Sequence, residues 1–399
     1  MKTRAMLWRA LLVAILLGIL LSMGGCATRS PAPPAPTAEL FHDELFRPPA
    51  APIDTAAIFA VSDRMRAYVK DELGQHPRGH DRRRALFDAL YRRDQLKLEY
   101  DSAMTRTAAE TFDARAGNCL SLAIMTAALA RELNFQVQFQ QINMEDVWSR
   151  TGNLYFASNH VNLVLGKPRI APDGQQFGNA DTLIVDFIPI SPKARESARP
   201  LDERTIVAMY LNNRAAELLS AGSIDDAYWA ARRSAETDPA FLNAYNTLAV
   251  VYRHHGDMAQ AEQALRHALR RAPDSTIYLS NLAQTLEAQH RDDEAALVRA
   301  RLARLEPTPP FHFFHLGQQA IERGDYASAR ELFQRELERE PDYHEFHYWL
   351  AVAQSHLGNL RDADKHMKQA LANSTTLGDH ALYAAKLDRI RAYEAKVIK

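Results

Sequence analysis

Three side chains, Cys119, His160 and Asp186, are of the types that together perform thiol chemistry on an acyl group. An imidazole takes the proton from a thiol and later returns a proton to the leaving group, while a carboxylate fixes the imidazole tautomer and supports its positive charge. The thiolate attacks a carbonyl carbon, and water or an amine resolves the thioester that forms. We therefore predict Cys119, His160 and Asp186 as the catalytic residues.

The segments around these residues predict the elements that hold them. Asn118 is a plausible helix N-cap, which places Cys119 in the first turn of an apolar helix, where the helix dipole and free backbone amides stabilise a thiolate. The patterns that follow predict three strands, with His160 beginning the second and Asp186 inside the third, over residues 136–142, 159–165 and 182–188. A helix followed by an antiparallel sheet is the layout in which a thiol meets an imidazole and a carboxylate.

The Gly-Asn-Cys block at 117–119, followed by a strand His160 and a strand Asp186, resembles the transglutaminase-like superfamily. The resemblance spans residues 105–189 and implies an α+β papain/transglutaminase-like domain, which we expect over 53–196. The chain departs from the family pattern in the long interval before Asp186 and in lacking a Trp next to His160. One oxyanion donor would be the backbone amide of the cysteine, and Gln95 is one possibility for a side-chain donor.

The second half of the chain repeats itself at a period of 34 residues, with small residues where two helices cross closely and a proline at the end of each unit. The first two columns are Ala227, Ala261, Ala295, Ala329 and Ala363, and Ala215, Ala249, Ala283, Gly317 and Ala351. The proline column is Pro239, Pro273, Pro307 and Pro341. These columns predict five pairs of helices over 205–375 and a capping helix over 376–399.

These columns resemble the tetratricopeptide repeat (TPR), an all-α solenoid of stacked helical hairpins. The resemblance implies a concave groove that holds a protein or peptide partner. Seven positions, polar and aromatic, are expected to face that groove: Asn243, Asn246, Arg253, Phe311, Phe314, Gln318 and Tyr348. The chain lacks the Lys and Asn arrangement of the repeats that clamp a C-terminal carboxylate.

The N-terminus has the form of an export signal. Basic residues precede an uncharged run at 10–21, which is too short to span a bilayer as a helix. The ending LSMGGC resembles a bacterial lipoprotein signal, which implies a signal peptide over 1–25 and lipidation of Cys26; an ordinary secretory signal is the alternative. Ala27 then favours the outer membrane, facing the periplasm, and the Pro/Ala-rich stretch at 26–52 predicts an extended tether.

Composition narrows the classes of function. The chain of 399 residues has 48 basic and 49 acidic residues, a formal net charge of −1, which provides no field to hold a nucleic acid. Apolar residues at 47% and charged residues at 24% exclude a largely disordered chain. No cluster of side chains predicts a cofactor, and the His pairs of the repeats are expected to be ordinary helix residues without a metal.

Two functions stay open from the residues. The first is an envelope enzyme, a cysteine peptidase or transglutaminase-like acyltransferase, for which hydrolysis is favoured because water is always present while an amine acceptor needs a second site. The second is a non-catalytic, lipid-anchored scaffold that assembles envelope proteins through its repeats.

Overall fold

The computed structural model describes residues 38–73, 82–92, 95–151, 154–168, 182–187 and 196–397, which belong to one compact unit. The predicted signal peptide, Cys26 and the Pro- and Gly-containing insert of the His160–Asp186 interval lie outside the described residues.

The first half of the described chain places short helices around one long central helix. Helices α1 to α4 are Asp63–Tyr68, Arg82–Tyr91, Ala108–Ala114 and Cys119–Glu132. A π-helical turn, Val69–Leu73, continues α1. Every residue from Leu120 to Ala130 is buried, so α4 is surrounded by core on all sides, whereas its sequence pattern predicted a single apolar face.

Two small sheets complete this half. Strands β1 (Glu99–Tyr100) and β2 (Ala116–Gly117) pair in parallel. The second sheet is antiparallel in the order β5-β4-β3-β6, with strands β3 to β6 at Phe135–Thr151, Leu154–Pro168, Leu183–Val185 and Arg199–Leu201. Helix α4 contacts β3 and β4. The three predicted strands are present, but β3 and β4 form a longer hairpin than expected, and Asp186 follows β5 instead of lying inside it.

The second half is a solenoid of five antiparallel helix pairs and a final helix. Helices α5 to α15 are Glu203–Ser220, Ile224–Thr237, Leu242–His255, Met258–Arg271, Thr276–Ala288, Asp292–Leu305, His312–Glu322, Tyr326–Arg339, His344–His356, Leu360–Ala372 and Leu377–Val397. Both alanine columns of the sequence are buried at the helix crossings. Among the helices of the described ranges, none is both long enough and apolar enough to cross a bilayer.

Gly317 shows why the crossing positions must be small. A Cβ atom at this position would lie 2.5 Å from Cε1 of Phe333, a side chain that is itself fully buried. We expect Gly317→Ala to lower the free energy of unfolding by about 1–3 kcal/mol, because the Phe333 ring or the helix backbone must move. Urea denaturation measures the change.

Gly378→Ala is the matched control, because its nearest neighbour would be Thr376 Oγ1 at 3.7 Å. This variant should unfold at the same or a slightly higher urea concentration, since alanine is favoured in a helix. Equal stability of the Gly317 and Gly378 variants would contradict the close contact between α11 and α12.

The segment 38–50 crosses the first two repeats. Phe46 and Leu40 are buried, and the Phe46 ring stacks on Tyr228 of α6 with ring centroids 3.9 Å apart. The hydroxyl of Tyr252 donates to the carbonyl of Leu40 at 2.8 Å, and the indole of Trp229 donates to the carbonyl of Arg47 at 2.6 Å. The expectation of an extended tether up to residue 52 is therefore corrected, because two apolar side chains gain more from burial on the repeats than from exposure to water.

Helix α5 contributes to both halves. Its early residue Ile206 is buried in the core around α4. Its later residues Ala215 and Leu219 are buried in the core of the first repeats. One continuous helix therefore joins the two hydrophobic cores.

Candidate functional site: a buried thiol–imidazole–carboxylate group

The cap of α4 fixes the position of Cys119. Asn118 Oδ1 accepts a hydrogen bond from the backbone N–H of Ser121 at 2.9 Å, which ends the chain's approach and starts the helix at Cys119. A Cβ atom at position 117 would lie 2.8 Å from Cβ of Ser121, so the residue before the cap has to be Gly117. The thiol is half-buried and is not in a disulfide.

His160 and Asp186 form a tight pair. The imidazole of His160 is 2% exposed, and its Nε2 lies 2.6 Å from Asp186 Oδ1. The other carboxylate oxygen accepts a hydrogen bond from Asn162 Nδ2 at 2.9 Å. The Tyr91 hydroxyl donates to the backbone carbonyl of Asp186 at 2.6 Å and so holds the residue that follows β5. The carboxylate is thus fixed at its side chain and at its backbone.

The three side chains interact electrically. Burial lowers the pKa of His160, but hydrogen bonds with Asp186 and Cys119 and the negative charges of both groups raise it to about 9. Because Nε2 faces Asp186, Nδ1 is the ring nitrogen left for the thiol. This Nδ1 atom is buried and has no aligned hydrogen-bond partner among the described residues, so the contact with Cys119 is close but imperfectly oriented. An imidazolium beside a thiolate is therefore the form that this geometry stabilises below about pH 9.

The structure thus brings together the three residues that the sequence singled out. Gln95, the possible oxyanion donor, accepts a hydrogen bond from the Tyr68 hydroxyl at 3.1 Å, and its described contacts do not include Cys119. Sequence reasoning missed Asn162 and Tyr91. The alternation of a strand could have indicated Asn162, because residues i and i+2 share a face with His160. Nothing in the sequence relates Tyr91 to the carbonyl it holds.

The loop between β1 and α3 joins the thiol site to the solenoid. Thr105 Oγ1 accepts hydrogen bonds from Asn118 Nδ2 at 2.8 Å and from Asn213 Nδ2 of α5 at 3.2 Å. Three residues earlier, the N–H of Ser102 donates to the carbonyl of Thr375, just beyond the last repeat, at 2.7 Å. The loop that supports the cap of α4 is thus bonded to both ends of the repeat array.

The predicted groove positions of the second repeat form a polar ladder with the third. Each side chain on α7 is hydrogen-bonded to one on α9, at 2.6–2.9 Å. The pairs are Asn243 with Tyr278, Asn246 with Asn281, and Arg253 with Gln284. Because these side chains are only half-buried, the ladder keeps amide and guanidinium groups within reach of a partner.

The predicted groove positions of the later repeats differ. Phe311 and Phe314, 3% and 0% exposed, are buried against Phe346 in the core of the fourth and fifth repeats. Their assignment to the groove is corrected, since large apolar rings are more stable inside the core than along a wet groove. Tyr348 is half-buried and stacks on Tyr383 of α15 with centroids 5.1 Å apart, and Gln318 is half-buried.

Comparison with known proteins identifies the repeats. Models of the tetratricopeptide repeat match residues 242–275 and 314–377, both inside the solenoid. A TPR repeat-containing protein of Pseudomonas aeruginosa is 27% identical over 176 residues, which cover 43% of this chain and 30% of that protein. The chain thus spans less than a third of the length of this curated relative.

Solved structures with similar repeats include two bacterial proteins. One is the pilF protein of Pseudomonas aeruginosa, 20% identical, with 48% of this chain and 87% of that chain covered at a TM-score of 0.29. The other is a thermophilic TPR protein of Thermus thermophilus, 20% identical, with 45% of this chain and 98% of that chain covered at a TM-score of 0.30.

Proposed function

We propose that this chain, which carries tetratricopeptide repeats, is a thiol acyl-transfer enzyme that hydrolyses an amide or peptide bond through a thioester on Cys119. The observation that carries the proposal is the buried His160–Asp186 pair, 2.6 Å apart, acting on the thiol at the first residue of α4. The resemblance of Gly117, Asn118 and Cys119 to the transglutaminase-like superfamily supports the same chemistry on a papain-like α+β domain.

The reaction follows from the positions of the three groups. The thiolate of Cys119 attacks the carbonyl carbon, and the C–N bond breaks as the His160 imidazolium gives its proton to the leaving amine. Neutral His160 then takes a proton from water, which attacks the thioester carbon and releases the acid and the thiol. Asp186 keeps the imidazole oriented and favours its charged form in both steps.

The repeats would bring a protein substrate or partner to this site. Tetratricopeptide stacks bind proteins along their concave face. The ladder of Asn243, Asn246 and Arg253 offers amide and guanidinium groups to a polypeptide. Lipidation of Cys26 and a location at the outer membrane facing the periplasm, with the signal peptide removed, belong to the same proposal.

Acetylation of Cys119 tests the chemistry directly. In a protein with Cys26→Ser, Cys119 is the remaining cysteine. We expect p-nitrophenyl acetate to release p-nitrophenolate and leave an acetyl group on Cys119, detected by mass spectrometry of the intact protein and its peptides. Cys119→Ala should lose this adduct while it keeps its unfolding temperature. A parent protein that never acquires the adduct would contradict the proposed enzyme.

The second candidate is a non-catalytic scaffold, which the tetratricopeptide matches and the polar ladder favour. In cells that produce the full chain, a scaffold would tolerate Cys119→Ala and would lose its role when Asn243 and Asn246 are both replaced by Ala. An enzyme would show loss with Cys119→Ala at normal protein abundance.

A further inference from the structure

Tyr100 is held beside the thiol by the small parallel sheet. Tyr100 pairs in register with Gly117, two residues before Cys119. The N–H of Asp101 donates to the Gly117 carbonyl at 3.0 Å, and the N–H of Glu99 donates to the Arg115 carbonyl at 2.9 Å. These bonds on either side of Tyr100 fix its backbone against the segment that leads into α4.

The hydroxyl of Tyr100 lies against the backbone of the cysteine. The N–H of Cys119 donates toward the Tyr100 hydroxyl oxygen. Burial and the nearby thiolate charge raise the pKa of Tyr100 far above its usual value, although the backbone N–H opposes this shift. The hydroxyl therefore keeps its proton at neutral pH and remains a hydrogen-bond donor.

Acyl transfer needs more than the thiol, the imidazole and the carboxylate. The tetrahedral intermediate carries a negative oxygen that is stabilised by donors placed about 2.7–3.1 Å away. The N–H of Cys119 at the start of a helix is one such donor, and the described contacts of Gln95 do not take it there. A second donor must face the same point in space.

We propose that the Tyr100 hydroxyl is this second donor, an inference that rests on the proposed function. A substrate carbonyl oxygen that replaces the phenol oxygen as acceptor of the Cys119 N–H lies directly beside the Tyr100 O–H. Both donors then point at the oxygen as its charge develops. Tyr100 thereby joins Cys119 and His160 as a catalytic residue, with the task of stabilising the intermediate.

Two reagents separate this role from an effect on the thiol. In the Cys26→Ser protein, Tyr100→Phe keeps the ring and removes the donor. Acetylation of Cys119 by p-nitrophenyl acetate, which passes through an oxyanion, is expected to slow by about 10- to 100-fold. Alkylation by iodoacetamide, which forms no oxyanion, should change less than about twofold. Tyr393→Phe, on the exposed face of α15, is the control for loss of a phenol and should match the parent in both reactions.

Each outcome decides the inference. Acetylation at the parent rate in Tyr100→Phe overturns it. An equal loss of acetylation and alkylation also overturns it, because Tyr100 would then act on the thiol itself or on the local fold. Absence of acetylation in the parent protein overturns the proposed function, and the role of Tyr100 with it.

Discussion

Alanine in place of His160 is expected to slow the alkylation of Cys119 by iodoacetamide about a hundredfold at pH 6. An unassisted thiol has a pKa of about 8.5 and is below about 1% thiolate at this pH. In the parent protein the His160 imidazolium persists until the pH approaches about 9 and stabilises the thiolate beside it. The rate constant, measured by mass spectrometry in the Cys26→Ser protein, should therefore be nearly level from pH 6 to pH 8.

The pH profile carries the sign of the effect. In His160→Ala the rate should rise about tenfold per pH unit up to about 8.5, as for a free thiol. Asp186→Asn, which keeps the size of the side chain but removes the charge that raises the pKa of His160, should give an intermediate profile. It also guards against a folding defect in the alanine variant. Parent and His160→Ala profiles that coincide would show that thiol and imidazole do not act together.

Phe46→Ala is expected to lower the free energy of unfolding by about 3–5 kcal/mol, the range for truncation of a buried phenylalanine. Its ring is buried between Tyr228 and Tyr252, although it lies more than 180 residues away in the sequence. Urea denaturation followed by circular dichroism measures the loss.

Phe41→Ala tests the same segment at a half-buried ring, which lies over the guanidinium of Arg232. A loss of about 1 kcal/mol is expected here, since less apolar surface is removed from contact. A Phe46→Ala protein within about 0.5 kcal/mol of the parent would contradict the docking of the segment 38–50 on the repeats.

The sequence predicted those features that depend on periodicity. Alanines at steps of 34 residues, such as Ala227 and Ala261, identified the helix pairs because each pair repeats the same close crossing. The cap at Asn118 was visible because a polar residue immediately precedes a long apolar run. Cys119, His160 and Asp186 could be named because their types imply one chemistry and their order matched a family.

Features that rest on single residues and distant partners were not predictable in this way. Leu40 and Phe46 stand alone in a stretch rich in Pro and Ala, so no pattern indicated that they are buried on helices far along the chain. Strand β1 has two residues, too few for an alternation, and so Tyr100 gave no signal. Phe314 occupies a position that usually faces the groove, and only the space opposite it decides that the ring enters the core.

Helix α5 determines how this protein can be divided. Because its first turns are packed in one core through Ile206 and its last turns in the other through Leu219, loss of either core removes half of the helix's support. Thermal denaturation should therefore show one cooperative transition for both halves. A fragment cut at residue 205 would leave Ile206 and its apolar neighbours facing water. Partner-binding measurements consequently belong to the intact chain, where a change in one half is felt by the other as a change in stability.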